Sequence, residues 1–134
     1  MNRTSKEVFY VQKERLVREF FGKMFGKPLK KRKLVMGHDS KNKPQIHEFD
    51  LVSDDMSIIG EIKSGKKSKN NYVSGIADCL FLSRIQAKKK LFVLTDKDFY
   101  EHFKVKSEGV IPSDIEILYV CLEDVTREKR ECVA

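Results

Sequence analysis

The stretch from His47 to Gly65 constrains the fold of this chain more than any other part of the sequence. Two strand-like runs, Ile46 to Val52 and Ile58 to Ser64, flank a short polar segment of the kind that forms a tight turn. The second run carries Glu61 among apolar residues that occupy both faces of a strand. Such strands are usually central, and a charged side chain is rarely buried there unless it is paired or binds a ligand. The stretch therefore predicts a buried hairpin with a polar site built into it.

The remaining elements predict a mixed α/β domain over residues 1–122, followed by a charged tail at 123–134. Apolar spacing, turn residues and an aspartate cap at position 96 define the elements. In chain order we expect a helix from Ser5 to Phe25, strands at Leu34 to Met36, Ile46 to Val52 and Ile58 to Ser64, a helix from about Tyr72 to Gln86, a strand at Leu91 to Leu94, a short helix from Asp96 to about Phe103 and a strand from Ile115 to Leu122.

The composition favours a globular domain with a polyanionic partner. The 134 residues include 27 Lys+Arg against 20 Asp+Glu, a net charge of +7, and a basic surface attracts nucleic acid. Three cysteines without a CxxC pair argue against a disulfide framework and favour a reducing, cytoplasmic setting. No apolar run approaches the roughly 20 residues of a membrane span, and the first residues lack the apolar core of a secretory signal. We expect no membrane partner.

Asp50, Glu61 and Lys63 are predicted to share one face of the hairpin. If Asp54-Asp55 forms a two-residue turn, Asp50 pairs with Ile59, and period-two alternation puts Glu61 and Lys63 on the same side. Asp50 and Glu61 are then diagonal neighbours, with Cβ atoms about 7–8 Å apart. A turn with an odd number of residues would separate the two carboxylates onto opposite faces.

Two carboxylates and a lysine in this arrangement can hold a divalent cation and activate a water. Mg²⁺ and Mn²⁺ prefer oxygen ligands, so the expected metal ligands are Asp50, Glu61 and the backbone carbonyl of Ile62. Lys63 would orient the attacking water or stabilise the phosphorane. The alternative is an ordinary cross-strand salt bridge between Glu61 and Lys63 on a solvated face. His47 alternates away from Asp50 and is interpreted as packed or exposed rather than as a ligand.

At these residues the chain resembles the PD-(D/E)XK nuclease superfamily, the restriction-endonuclease-like fold. That fold has an αβββαβ core with a mixed central sheet flanked by helices, and the resemblance covers roughly Glu7 to Thr95, with an extra C-terminal helix and strand. It implies that Asp50 and Glu61 are the acidic positions and that Lys63 is the lysine. Phe49 stands where many members have a proline. The resemblance implies a Mg²⁺- or Mn²⁺-dependent endonuclease, with DNA favoured over RNA.

Many members of that superfamily also carry a glutamate on the first helix that reaches the metal. Glu14 and Glu19 are the candidates here. Glu14 is preferred, because it shares a helical face with the apolar Val17 and Phe21, whereas Glu19 lies among polar residues. The alternative for Glu14 is a surface ion pair with Arg18 at i+4.

Two basic clusters are the candidate nucleic-acid contacts. The first directly follows the predicted lysine strand and comprises Lys66, Lys67 and Lys69. The second precedes the first predicted strand and includes Lys31, Arg32 and Lys33. Because one site cuts one strand, cleavage of a duplex would require a homodimer or two encounters, and a partner protein is a candidate source of specificity. Two other functions stay open: a catalytically inactive nucleic-acid-binding module of the same fold, and a protein-interaction domain.

Overall fold

The structure is a computed structural model that describes the backbone of residues 5–125 and the side chains of residues 12–125. Its helices and strands follow the predicted order. They are α1 (Ser5–Phe25), β1 (Leu29–His38), β2 (Pro44–Ser53), β3 (Ile58–Lys63), α2 (Lys69–Ser83), β4 (Lys89–Leu94), α3 (Lys97–Lys106) and β5 (Ile115–Tyr119).

One mixed sheet organises the molecule, with its five strands in the order β1-β2-β3-β4-β5. The first three strands pair antiparallel, whereas β3, β4 and β5 run parallel. Side chains of β4 alternate between two cores: Phe92 and Leu94 pack in the core that includes residues of α2 and α3, and Leu91 and Val93 pack in the one that includes residues of α1. The prediction of an α+β domain with helices on both faces of a mixed sheet is confirmed.

Several element boundaries differ from the sequence prediction, among them the end of α2, which is Ser83 rather than Gln86. Strand β1 begins at Leu29 rather than Leu34, because the backbone of the basic run pairs with β2 while its side chains stay exposed. Helix α2 starts three residues earlier than expected, since the Ser68 side chain caps it by accepting from the backbone N–H of Asn71 at 3.0 Å. Strand β5 ends at Tyr119, three residues before the predicted end at Leu122. The prediction that Asp96 caps α3 is confirmed by its hydrogen bond to the amide of Phe99.

The β2–β3 hairpin has a four-residue turn at 54–57, so the predicted two-residue turn and the pairing of Asp50 with Ile59 are wrong. Val52 pairs with Ile59 and Leu51 with Gly60. The Asp55 carboxylate shapes the longer turn by accepting from the Ser57 backbone and from neighbouring hydroxyls. Both turn lengths are even, so the face predicted for the carboxylates is kept, and the register, if continued, sets Asp50 directly opposite Glu61.

The predicted tail at 123–134 falls mostly outside the described residues, which end at 125. Within the part that is described, residues 122–125 form a helical turn. Val125 is buried in the core cluster that includes residues of α1, so the packed domain extends past residue 122. No helix in the described part of the chain is long and apolar enough to cross a membrane.

Candidate metal centre between strands β2 and β3

Strand β2 carries one extra residue where it passes the predicted site. Across the two steps from Lys30 to Arg32 in β1, the partner strand advances three steps, from Val52 to Phe49. This irregularity is a β-bulge at residues 50–51. Phe49 and Val52 consequently contact the same core cluster, which regular alternation along a strand would forbid. The side chains of β2 that precede the bulge therefore face the opposite side of the sheet from the one that regular alternation would give them.

Strands β2 and β3 stop pairing immediately beyond the bulge. The last paired residues are Leu51 and Gly60. Past them, the backbone N–H of Ile62 donates to Oδ2 of Asp50 at 2.9 Å, so a carboxylate takes the place of a backbone acceptor. The N–H and C=O of one strand residue point toward the same neighbouring strand. The Ile62 carbonyl, predicted as a metal ligand, therefore also points toward β2, the strand that carries Asp50.

Asp50 and Glu61 form a buried acidic pair, with 9% and 5% of their surfaces exposed. Burial, together with the negative charges of Asp50 and Asp78, raises the pKa of Glu61 to about 10 against the opposing charge of Lys63. Burial also raises the pKa of Asp50, although the hydrogen bond from Ile62 opposes this. The two side chains hydrogen-bond to each other. Without a cation, Glu61 thus keeps a proton at neutral pH and shares it with Asp50.

His47 contacts Glu61, which the sequence interpretation did not anticipate. Its Nε2 lies 2.8 Å from Oε1 of Glu61, and its ring packs against Phe49 and Phe81 at centroid distances of 4.7 and 4.6 Å. Strict alternation from Asp50 would turn His47 away, but the bulge intervenes and brings it to the Glu61 side. A neutral Glu61 can accept from His47 while it donates to Asp50.

Helix α2 holds the ammonium group of Lys63. The Nζ atom lies 3.0 Å from Oδ2 of Asp78 and 2.5 Å from Oγ of Ser74. The side chains of Lys63 and Asp78 are only 19% and 15% exposed. The sequence analysis missed both α2 residues, although their i, i+4 spacing beside the buried Cys79 is a detectable signal. Lys63 thus forms its ion pair with Asp78 of α2. The alternative, a salt bridge between Lys63 and Glu61 on a solvated face, is not what the structure contains.

Glu14 lies on the α1 side of Asp50. Its negative charge raises the pKa of Asp50, whereas the charge of Lys31 lowers it. Glu14 Oε2 is 3.2 Å from Lys31 Nζ, and the Glu14 side chain is 25% exposed. Glu19 lies on the exposed side of α1, where its carboxylate is 3.9 Å from Arg15. The structure therefore brings the preferred glutamate, Glu14, toward the acidic pair.

Arg18, which the alternative interpretation paired with Glu14, instead hydrogen-bonds to the backbone at the bulge. Its Nε donates to the backbone carbonyl of Asp50 at 2.9 Å. The Arg18 guanidinium group thereby donates a hydrogen bond to a carbonyl at the bulge, where the backbone hydrogen bonding between β1 and β2 is irregular. Lys31 takes the place of Arg18 and lies near both Glu14 and Glu48, at 3.2 and 3.8 Å. Lys31, a predicted nucleic-acid contact, is therefore engaged with acidic side chains.

The other predicted basic contacts lie on two surfaces. Arg32 and Lys33 are exposed on the edge strand β1. The remaining three are exposed in the loop after β3 and at the first residue of α2, namely Lys66, Lys67 and Lys69. Lys67 is close enough to α3 for its charge to lower the pKa of His102. This group begins three residues after Lys63 in the chain.

Comparison with protein-family models, with curated proteins and with solved structures found no match to this chain. Among the described residues, no group of three or more His, Cys, Asp or Glu side chains is placed to hold a metal ion. The candidate centre is a smaller donor set, comprising the Asp50 and Glu61 carboxylates and the Ile62 carbonyl. These hard oxygen donors fit Mg²⁺ or Mn²⁺, because Mg²⁺ commonly uses one or two carboxylates and keeps water or substrate phosphate at its other positions.

Proposed function

We propose that this protein is a metal-dependent nuclease that hydrolyses phosphodiester bonds, with DNA favoured over RNA and with a restriction-endonuclease-like core. The observation that carries the proposal is the buried pair of Asp50 and Glu61 where β2 and β3 separate, with Lys63 two residues beyond Glu61 on the same strand. Burying two adjacent carboxylates in their ionised forms is unfavourable without a compensating cation, and Glu61 holds a proton when no cation is bound. Their placement side by side in a packed core supports a role as metal ligands.

Asp50, Glu61 and the Ile62 carbonyl would hold Mg²⁺ or Mn²⁺. When bound, such a cation lowers the pKa of a water molecule and neutralises charge on the scissile phosphate. Metal binding requires both carboxylates to be ionised, so the proton on Glu61 leaves as the cation enters. Glu14 is close enough to Asp50 for its charge to raise the pKa of that side chain, and it would support the site from α1.

Lys63 supplies the hydrogen-bond donor of the proposed reaction. A lysine ammonium has three N–H donors, and Ser74 and Asp78 account for two of them. The third N–H is available for the attacking water or for a phosphate oxygen. His47 fixes the orientation of Glu61 through its hydrogen bond and its packing against two phenylalanine rings. These contacts hold the reacting groups in place before substrate arrives.

The proposed substrate follows from charge. The chain carries a net charge of +7, and the exposed lysines after β3 and on the edge strand β1 can neutralise backbone phosphates. Two described cysteines, Cys79 and Cys121, are free thiols, and a reducing, cytoplasmic setting belongs to the proposal. One site cuts one strand, so a monomer would nick duplex DNA and a dimer would be needed for a concerted double-strand break.

The test is cleavage of supercoiled plasmid, single-stranded DNA and RNA in Mg²⁺, Mn²⁺ or EDTA. The variants are Asp50→Asn, which should lose metal binding and cleavage, and Lys63→Ala, which should keep metal binding and lose about 10²- to 10⁴-fold in rate, the usual contribution of a positioned proton-transfer group. Lys90→Ala is the matched control, because Lys90 is also a buried lysine paired with an aspartate, Asp114, at 3.4 Å.

Metal-dependent cleavage that is lost in Asp50→Asn and Lys63→Ala, and kept in Lys90→Ala, would support the proposal. Wild-type rates in the Asp50 and Lys63 variants would refute it. Nucleic-acid binding that is independent of metal and occurs without cleavage would favour the inactive binding module. Failure to bind any nucleic acid at low salt would favour a protein-interaction domain.

A further inference from the structure

Two side chains of α2, Ser74 and Asp78, hold the Lys63 ammonium from the helix side. They lie one helical turn apart at i and i+4, so they present their oxygens on the same side of α2. The Nζ–Oγ and Nζ–Oδ2 distances are 2.5 and 3.0 Å. Apolar side chains pack nearby between α2 and the sheet, with Cys79, Leu82 and Phe92 in the same core cluster.

Stability alone gives little reason for this contact. A mostly buried ion pair usually costs about as much in desolvation as it returns in attraction, and apolar residues of similar size often serve as well. Helix α2 is already fixed to the sheet by apolar packing, which includes the fully buried Cys79 and Leu82. What the contact does provide is a fixed position for one ammonium group next to Glu61, whose electrostatics it influences.

We propose that Ser74 and Asp78 are positioning residues that hold the Lys63 ammonium in the orientation needed for phosphodiester cleavage. This inference rests on the proposed nuclease function and adds α2 to its machinery. A four-carbon lysine stem has many rotamers, and a donor that must reach a reacting oxygen loses rate when it is misplaced by about 1 Å. The two contacts restrict Nζ to one place and leave its third N–H for the substrate.

The chain contains a matched control for this contact. Lys90 and Asp114 form a second lysine–aspartate pair, in which the Lys90 side chain is 10% exposed and the Asp114 side chain is 61% exposed. Lys90 pairs with Ile59 and Leu94 pairs with Lys63 in the β3–β4 ladder. The two lysines are therefore separated by four residues along the sheet, or about 13 Å. Asp114→Asn removes a lysine–aspartate charge pair away from the acidic residues, although its carboxylate is more exposed than that of Asp78.

The experiment measures kcat, KM and Mn²⁺ affinity for Asp78→Asn, Ser74→Ala, Ser74→Thr and Asp114→Asn on one oligonucleotide. Loss of a supporting hydrogen bond at a site of this kind typically costs about 10- to 100-fold. We expect Asp78→Asn and Ser74→Ala to lower kcat by that factor with KM little changed. Ser74→Thr keeps the hydroxyl and should keep the rate, and Asp114→Asn should match wild type.

A second measurement reports on the contacts of Lys63 with Ser74 and Asp78 and does not depend on catalytic activity. Reaction of Lys63 with an amine-specific reagent, measured by peptide mass spectrometry, should accelerate in Asp78→Asn and Ser74→Ala but not in Asp114→Asn. The inference is overturned if folded Asp78→Asn and Ser74→Ala keep the wild-type kcat, or if Asp114→Asn lowers it equally. If Asp78→Asn does not fold, the comparison of Ser74→Ala with Ser74→Thr decides.

The two proposals fail in different ways. A wild-type protein that binds no metal and cleaves no nucleic acid overturns the proposed function, and the positioning role falls with it. A cleaving enzyme that depends on Lys63 but is indifferent to Ser74 and Asp78 overturns the positioning role alone.

Discussion

Replacing Glu61 with glutamine should make the stability of the metal-free protein less dependent on pH. The pKa of Glu61 is 4.5 in an unstructured chain and about 10 in the folded protein, chiefly because the side chain is buried. Between these values the folded state holds a proton that the unfolded state has released, so the free energy of unfolding falls as pH rises, by about 1.4 kcal/mol per pH unit. From about pH 5.5 to about pH 8, the expected loss is about 3 kcal/mol.

Glutamine has nearly the same shape and does not titrate, so Glu61→Gln removes this loss. The assay is urea unfolding of both proteins in EDTA across that pH range, and the quantity to compare is the change in unfolding free energy with pH. A difference of about 3 kcal/mol corresponds to a shift in Tm of roughly 10 °C. Glu101→Gln, at an exposed position on α3, controls for the change in net charge.

Adding Mn²⁺ provides the second half of this test. Because the cation replaces the proton on Glu61, it should stabilise wild type increasingly as pH rises, by about 2.7 kcal/mol at a hundred times its Kd, and it should do little for Glu61→Gln. Parallel pH profiles for wild type and Glu61→Gln in EDTA would refute the reasoning, since Glu61 could not then hold a proton in the folded state.

Three further predictions address packing, thiol chemistry and nucleic-acid binding. Gly60→Ala should lower the free energy of unfolding by about 1–3 kcal/mol in urea titrations, because a Cβ there would lie 2.9 Å from the Leu91 carbonyl; unchanged stability would contradict the tight β3–β4 contact. Cys79 should resist a thiol reagent until the protein unfolds, because burial raises the pKa of its thiol to about 12. Cys121 should be labelled before Cys79 when the modified peptides are followed by mass spectrometry, and equal labelling rates would contradict this. The Lys66→Ala/Lys67→Ala double variant should weaken binding equally across DNA sequences and reduce the slope of log K against log salt by about 1 per lost phosphate contact; an unchanged slope would exclude this loop from the interface.

Local patterns in the sequence predicted the element order well, because those patterns reflect local physics. Apolar residues at helical spacing gave the limits of α1 correctly, from Ser5 to Phe25. The uninterrupted run at Leu91 to Leu94 indicated a strand covered on both faces, and β4 is such a strand. Boundaries were less predictable where charged side chains lie on an edge strand, as in the basic half of β1, because backbone pairing there leaves little trace in hydrophobicity.

The proximity of Asp50 and Glu61 could be inferred from the parity of the turn alone. The register between β2 and β3 could not be inferred in this way, because the length of the turn depends on side-chain hydrogen bonds of Asp55 within it. The predicted diagonal placement was wrong by two residues, yet the same face resulted because both turns are even.

What the sequence by itself determined is the set of elements, their order and the two carboxylates and lysine that they bring to one hairpin. Only the tertiary structure decided how those groups are supported: His47 against Glu61, Ser74 and Asp78 against Lys63, and Arg18 against the Asp50 carbonyl. The physical reason is that each support joins residues distant in the chain. The bulge that brings His47 to the Glu61 side arises from the pairing of β2 with β1, and no local pattern of apolar and polar residues records where two strands fall out of step.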